Sequence, residues 1–154
     1  MLHVVLYRPE IPPNTGNAMR LCANTGTSLH LIHPLGFSLD EARLKRAGLD
    51  YRHWADVRNH DSLDDFVATT AFDRLWGFSQ HGQRSYADVE YGPGDALLFG
   101  PESDGLPEDV LAWERIDDLL RIPMLPRARS LNLANAVAIV VYEAWGQLGF
   151  PGGV

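Results

Sequence analysis

The chain has 154 residues, a single cysteine and a formal net charge of −7. That length fits one domain able to bury roughly 70% of the surface its unfolded form exposes. The lone Cys22 excludes an internal disulfide framework and a cysteine-built zinc site, and the acidic balance argues against indiscriminate nucleic-acid binding, leaving local patches to decide.

The N-terminus, Met1-Leu2-His3-Val4-Val5-Leu6-Tyr7, has no basic flank and no small-residue cleavage site, so it reads as a strand rather than a signal peptide. The longest apolar run, Ala136 to Tyr142, is far below the ~20 residues needed to cross a bilayer. A soluble, cytoplasmic protein is expected. Strands are predicted over Leu2 to Tyr7 and Ser28 to His33, with a helix from Asn14 to Thr25 between them, capped by Asn14 or Asn17 and closed by Gly26. Ser38-Leu39-Asp40-Glu41 has the form of a capping box heading a charged amphipathic helix that ends at Gly48, and Ser62 to Asp65 repeats the signal more weakly. Further strands are predicted over Arg74 to Ser79, Ala96 to Phe99 and Leu119 to Ile122, with a short helix from Pro107 to Ala112 before the last. Strands alternating with helices predict an α/β domain spanning residues 1–154, its mostly parallel sheet covered by helices on both faces.

The terminal segment from Leu133 to Leu148 carries only Asn135, Glu143 and Gln147 as strongly polar positions. A helix so apolar around its circumference needs cover on more than one side, and a second copy of the chain is the economical cover, the alternative being complete enclosure by surrounding helices.

Several common chemistries are absent from the sequence. There is no G-x-G-x-x-G and no G-x-x-x-x-G-K-[ST]. The stretch from Gly100 to Gly105 is one residue too long for a nucleophile elbow, and every histidine lies at or before His81, so the order serine, acid, histidine cannot be completed. His30 and His33, three apart on a strand, would face opposite sides, which favours structural or surface histidines over a metal pair.

Three loops remain, each leaving a predicted strand at the end where parallel α/β sheets hold ligands. The first, Arg8 to Arg20, is stiffened by Pro9, Pro12 and Pro13. The second, Gly100-Pro101-Glu102-Ser103-Asp104-Gly105-Leu106-Pro107, has glycines that allow close backbone approach. The third, Ile122-Pro123-Met124-Leu125-Pro126-Arg127-Ala128-Arg129-Ser130-Leu131-Asn132, feeds the apolar terminal helix, whose start offers unpaired N–H groups and a partial positive charge. Taken singly, each has an ordinary turn or cap reading. Their order along the chain is what carries information.

The blocks Asn14-Thr15-Gly16-Asn17-Ala18-Met19-Arg20, Phe99 to Pro107, and Ile122-Pro123-Met124 with Arg129 to Val137 resemble the three motifs of the SPOUT RNA methyltransferases, more narrowly the short TrmL-type tRNA wobble-position 2′-O-methyltransferases. The resemblance extends to Leu21–Gly26, Lys45–Tyr51 and Tyr142-Glu143-Ala144-Trp145. It implies a deep trefoil knot in the C-terminal part, an obligate homodimer through the terminal helix, and S-adenosylmethionine as methyl donor, without a metal. Phe78, Gly100, Ile122 and Ser130 match cofactor-contacting positions, with Glu102, Met124 and Leu131 beside them. Arg20 is the candidate catalytic residue, as base or as stabiliser of the developing alkoxide. Asn14, Arg43, Lys45, Arg46, Arg127 and Arg129 are candidate RNA contacts. Ser103-Asp104 stands where close relatives often have a basic residue, which should repel RNA phosphate there. No histidine or lysine lies in the three loops to take the ribose proton. Two other readings fit the same motifs: methylation of ribosomal RNA or another tRNA position, and a non-catalytic RNA binder.

Overall fold

Alternation along β1 (His3–Tyr7) divides the core in two, with Val4 and Leu6 packed on one face of the sheet and Val5 and Tyr7 on the other. The structure is a computed structural model and describes residues 1–38 and 55–154. After β1 come α1 (Pro12–Thr25), β2 (Ser28–Ile32), β3 (Val57–His60), α2 (Leu63–Thr69), β4 (Leu75–Phe78), β5 (Arg84–Ser85), β6 (Ala96–Phe99), α3 (Glu108–Leu111), β7 (Asp118–Arg121) and α4 (Leu133–Gln147). Among the described residues, seven strands form one sheet in the order β3-β2-β1-β6-β4-β7-β5, and every pairing is parallel. Helices α1 and α4 cover the Val4 face through Ala18, Met19, Cys22, Val137, Val140, Val141 and Ala144, while α2 and α3 cover the other through Leu63, Phe66 and Val110. The α/β class with both faces covered is therefore as the sequence predicts.

Some local expectations are corrected. Helix α1 starts two residues before Asn14, and its N-cap is Ile11, with no side-chain bond, so neither Asn14 nor Asn17 caps it. Pro12 and Pro13 fill its first turn, where a missing N–H is not needed by the helix. Gly26 closes it with φ of 67° and an N–H donated to the Cys22 carbonyl, as expected. β2 stops at Ile32, one residue short of the predicted end. The last strand is Asp118–Arg121, one residue earlier than predicted, which frees Ile122 for the loop. Ser62 caps α2 as expected, its hydroxyl accepting from the Asp65 N–H at 3.0 Å. β3 and β5 went unpredicted because both are edge strands of polar sequence, Val57-Arg58-Asn59-His60 and Arg84-Ser85, without an apolar alternation to mark them. The capping box at Ser38, the helix it would head, and Arg43, Lys45 and Arg46 fall on or beside residues 39–54, outside the described residues.

Two polar clusters tie the strands together. Buried Asp95 accepts from Arg74 at 2.9 and 3.0 Å, from Trp76 Nε1 at 2.8 Å and from the Gly92 N–H at 2.8 Å, which fixes the entry to β6 beside β4. Across β1, β2 and β3, His3 Nδ1 lies 3.0 Å from His30 Nε2, and His30 Nδ1 lies 2.9 Å from His60 Nε2. Thr69 Oγ1 spends its hydrogen on the Asp65 carbonyl at 2.7 Å, so His60 Nδ1 at 3.4 Å must be the donor to it. The direction propagates: each ring carries its hydrogen on Nδ1. The rings of His30 and His60 also meet Phe66 edge-on. His30 is thus a structural histidine, as the strand geometry predicts.

Candidate active site

Strands β4 and β6 end side by side at Phe78 and Phe99, which are paired in register and stack with ring centroids 4.7 Å apart and planes 12° apart. These rings floor a cavity of about 590 Å³ at the carboxyl ends of β4, β6 and β7. A cavity of this size is in the range of small-molecule sites. Its walls come from Ile11 and Asn14 at the start of α1, from the whole of Gly100 to Leu106, and from Ile122, Met124 and Arg129 to Leu133. The three loops separated in sequence thus meet around one space. All seven residues expected at a cofactor site, Phe78, Gly100, Glu102, Ile122, Met124, Ser130 and Leu131, line it.

The second loop folds back hard on the strand end. A Cβ at Gly100 would run into the backbone of Gly105 and Leu106, and Gly105 itself sits at φ of 68°, a left-handed conformation that favours glycine. Glu102 ties this loop to the first: its carboxylate accepts from the N–H groups of Glu10 and Ile11 at 2.7 and 3.0 Å and from Asn14 Nδ2 at 3.3 Å. An anionic acceptor at those amides satisfies the start of α1 and suits its dipole. Asn14 carries the connection on, its Oδ1 accepting from Asn132 Nδ2 at 2.9 Å, and Asn132 in turn caps α4 by accepting from the Asn135 N–H at 3.2 Å. Glu102, Asn14 and Asn132 therefore bolt the three loops to each other. Asn14, expected as an RNA contact, is buried with its amide between these two partners.

Other expected residues are placed differently. Arg129 is in the cavity wall, and Arg127 is exposed two residues away on the same loop. Arg20 lies outside the wall, on the exposed stripe of α1 with Pro13, Asn17 and Asn24. At the rise of an α-helix its Cα stands about 9 Å along the axis from Asn14. Near the mouth, Ser103 Oγ donates to Glu10 Oε1 at 2.6 Å or to Asp104 Oδ2 at 3.2 Å, so the rim at Ser103-Asp104 is acidic.

Sequence reasoning missed one wall. Ser79, Gln80 and His81, the loop after β4, also line the cavity. The strand-end rule that selected the other three loops applies equally to a loop following Phe78, but no turn of glycines or run of arginines drew attention to it.

A family model for the SpoU rRNA methylase family matches residues 1–142. The chain belongs to the SpoU methylase family. A tRNA (cytidine(34)-2′-O)-methyltransferase from Saccharophagus degradans is 55% identical over 152 residues, covering 99% of each chain. A solved structure described as giving insights into the 2-OH methylation of C/U34 on tRNA is 52% identical, covers 97% of this chain and 91% of its own, and superposes with a TM-score of 0.87. Another SpoU methyltransferase, AviRb from Streptomyces viridochromogenes in complex with AdoMet, is 27% identical with a TM-score of 0.79, covering 96% of this chain and 60% of its own.

Proposed function

We propose that this SpoU methylase transfers a methyl group from S-adenosylmethionine to the ribose 2′-oxygen of the wobble nucleotide, a cytidine or uridine derivative, in tRNA. The observation that carries the reading is the convergence of all three motif loops on one cavity at the ends of β4, β6 and β7. The relatives that share this chain over its full length supply the substrate class.

The cavity suits such a cofactor. Stacked Phe78 and Phe99, with Ile122, Leu133 and Ala136, offer an apolar seat for a base, while Ser79, Gln80, Ser130 and the backbone around Gly100 offer polar partners for a ribose and an amino-acid tail. Phe78, Gly100, Ile122 and Ser130 would hold it, with Glu102, Met124 and Leu131 beside them. When bound, S-adenosylmethionine supplies an electrophilic methyl on a sulfonium, which needs no metal and no covalent enzyme intermediate.

The chain's own contribution is alignment. Holding the ribose oxygen in line with the methyl group supplies much of the rate in a displacement of this kind. The Glu102–Asn14–Asn132 linkage fixes the loops against each other, so the two reactants meet in walls that need little reorganisation. Arg20 orients the ribose and stabilises charge on its oxygen, since a guanidinium stays protonated at ordinary pH and is a poor base. Arg127 and Arg129 engage phosphates, as would Arg43, Lys45 and Arg46. The residues 1–154 act as one catalytic domain, in the cytoplasm where tRNA is matured; no described helix is long and apolar enough to cross a membrane. The trefoil knot would form where the third loop returns past the second, and the insertion of β6 between β1 and β4 supports it.

The protein functions as a homodimer. Ile139 and Tyr142 are 37% and 48% exposed on α4, an apolar stripe that a second copy would cover. This also gives Arg20, outside its own cavity wall, a route to the ribose across a dimer.

Calorimetry with S-adenosylmethionine and Ser130→Trp tests the site. The wild type should bind without added metal, and the variant should bind more weakly. Normal binding by Ser130→Trp would displace the site from this cavity. Mapping 2′-O-methylation in tRNA from a deletion strain tests the target, and a methyl group lost from a ribosomal or other tRNA position instead would replace the wobble reading.

A further inference from the structure

We infer that Leu125 is a nucleobase contact, packing against an unpaired base at the mouth of the cavity while Arg127 and Arg129 hold the phosphates next to it. The contact rests on the reading of the cavity as the site of a tRNA methyltransferase. It narrows the substrate to RNA whose bases are unpaired where they meet the protein.

Leu125 is 81% exposed, and among the described large apolar residues only Val154 is more so. Its backbone is nevertheless pinned. Pro126 confines the residue before it to extended conformations, and it is the second residue of a turn closed by the Ala128 N–H, which donates to the Leu125 carbonyl at 2.9 Å. Pro123 stiffens the approach from β7, and at the far end of the loop Asn132 Nδ2 donates to Asn14 Oδ1. Two prolines and a closed turn thus hold an apolar side chain out in water. Its neighbour Met124 and, farther along the loop, Leu131 are exposed as well and line the cavity, so Leu125 extends an apolar surface that already belongs to the mouth. An exposed apolar surface beside a site is a place where something docks.

Charge decides what docks. From Arg121 to Asn132 the chain carries three arginines and no acidic residue, although its net charge is −7. Arg127 and Arg129 are exposed, and among the described residues neither has an ion-pair partner, whereas Arg58, Arg74 and Arg84 are each paired with an aspartate. An apolar tip beside free cations fits a ligand that alternates apolar planes with anions, which is the build of an unpaired nucleic-acid strand. In a duplex the same bases would be stacked on one another and closed to the leucine. A second copy of this loop fits poorly, since it would set arginine against arginine. The outer stripe of α4 suits self-association better: Ile139 and Tyr142 are exposed there, and no arginine or lysine occurs from Leu133 to Gln147.

The test measures tRNA affinity by fluorescence anisotropy for wild type, Leu125→Ser, Leu125→Met and Arg127→Ala over a range of salt, beside calorimetry with S-adenosylmethionine and sedimentation. Leu125→Ser should weaken tRNA binding about tenfold, Leu125→Met should keep most of the affinity, and neither should change the slope of log Kd against log salt. Arg127→Ala should lower that slope by about 0.7, the value for one phosphate on a single strand. An anticodon stem-loop should show the same gap between wild type and Leu125→Ser, and annealing a complementary strand across its loop should abolish the gap. Equal tRNA affinity in wild type and Leu125→Ser would overturn the inference, as would a gap that persists on the annealed RNA. Dissociation of the protein by Leu125→Ser would give the leucine to a second copy, and loss of cofactor affinity would give it to the cavity wall; either result overturns the base contact. A wild type that methylates tRNA and is matched by Leu125→Ser in affinity defeats the contact alone. A wild type that shows the gap on tRNA but transfers no methyl group defeats the methyltransferase reading and leaves the contact standing.

Discussion

Arg20 is the residue whose role depends most on what surrounds it. On α1 it stands outside the cavity wall, yet its motif neighbour Asn14 is built into that wall. If it acts on the transition state, Arg20→Ala should lower kcat by about 10² or more with cofactor affinity unchanged. Partial rescue by Arg20→Lys would assign the effect to charge, and no rescue to the bidentate geometry of a guanidinium. Wild-type methylation by Arg20→Ala at saturating tRNA would reduce the residue to a binding contact. His30 makes a different kind of prediction. Burial, with the neighbouring His3 and His60, drives its pKa down to about 3, Arg58 adding to the fall and Asp56 opposing it. The unfolded chain should bind a proton at about 6.5, so between these values the unfolded state holds more protons and stability rises with pH. The contribution is complete above pH 6.5 and is lost as pH falls toward 3. His60, where burial outweighs the opposing Asp65, and His3, where burial is joined by the N-terminus, shift the same way. Urea midpoints should therefore drop between pH 7.5 and pH 5, and His30→Phe should flatten that dependence.

At the scale of elements, α4 presents two different apolar faces. Val137, Val140, Val141 and Ala144 are fully buried within the chain, whereas Ile139 and Tyr142 are exposed. The sequence predicts a helix needing cover on more than one side, and among the described residues Ile139 and Tyr142 are left exposed. This separates two substitutions that look alike in sequence. Val140→Glu places a charge in the core beneath the helix and should unfold the protein, with the severe cost of an unpaired buried charge. Tyr142→Glu places one on the outer stripe and should leave a folded chain while shifting sedimentation from dimer to monomer. A Tyr142→Glu protein that sediments as the wild type would remove α4 from the interface.

For the whole molecule, the cavity joins elements that the chain separates by up to 125 residues, from Ile11 to Ala136. A ligand held there links β4, β6 and β7 to α1 and α4, so it should stabilise the global fold rather than one loop. S-adenosylmethionine at about 100 times its Kd should add about 2.7 kcal/mol, seen as a rise in Tm. The same rise should be obtained in the presence of a chelator. No shift in Tm at saturating cofactor would contradict a site built from all these elements.

By itself, the sequence determined the elements whose signals are local. Apolar runs marked β1, β2, β4 and β6; Gly26 and Ser62 marked helix ends through backbone geometry and a side-chain cap; and glycine at 100 and 105 marked a loop that folds back on a strand. The three loops were legible as strand-end loops, and the residues within them through their resemblance to the SPOUT motifs. Edge strands β3 and β5 were not, since a strand paired on one side needs few apolar residues to hold it. Nor could the sequence tell that Glu102 and Asn14, 88 residues apart, spend their side chains on each other, or that the turn at His81 completes the cavity wall. Those facts depend on which strands become neighbours. β4 lies between β6 and β7 in the sheet, and that pairing, decided by the burial of both faces at once, brings the end of β4 and its histidine to the place where the three loops meet.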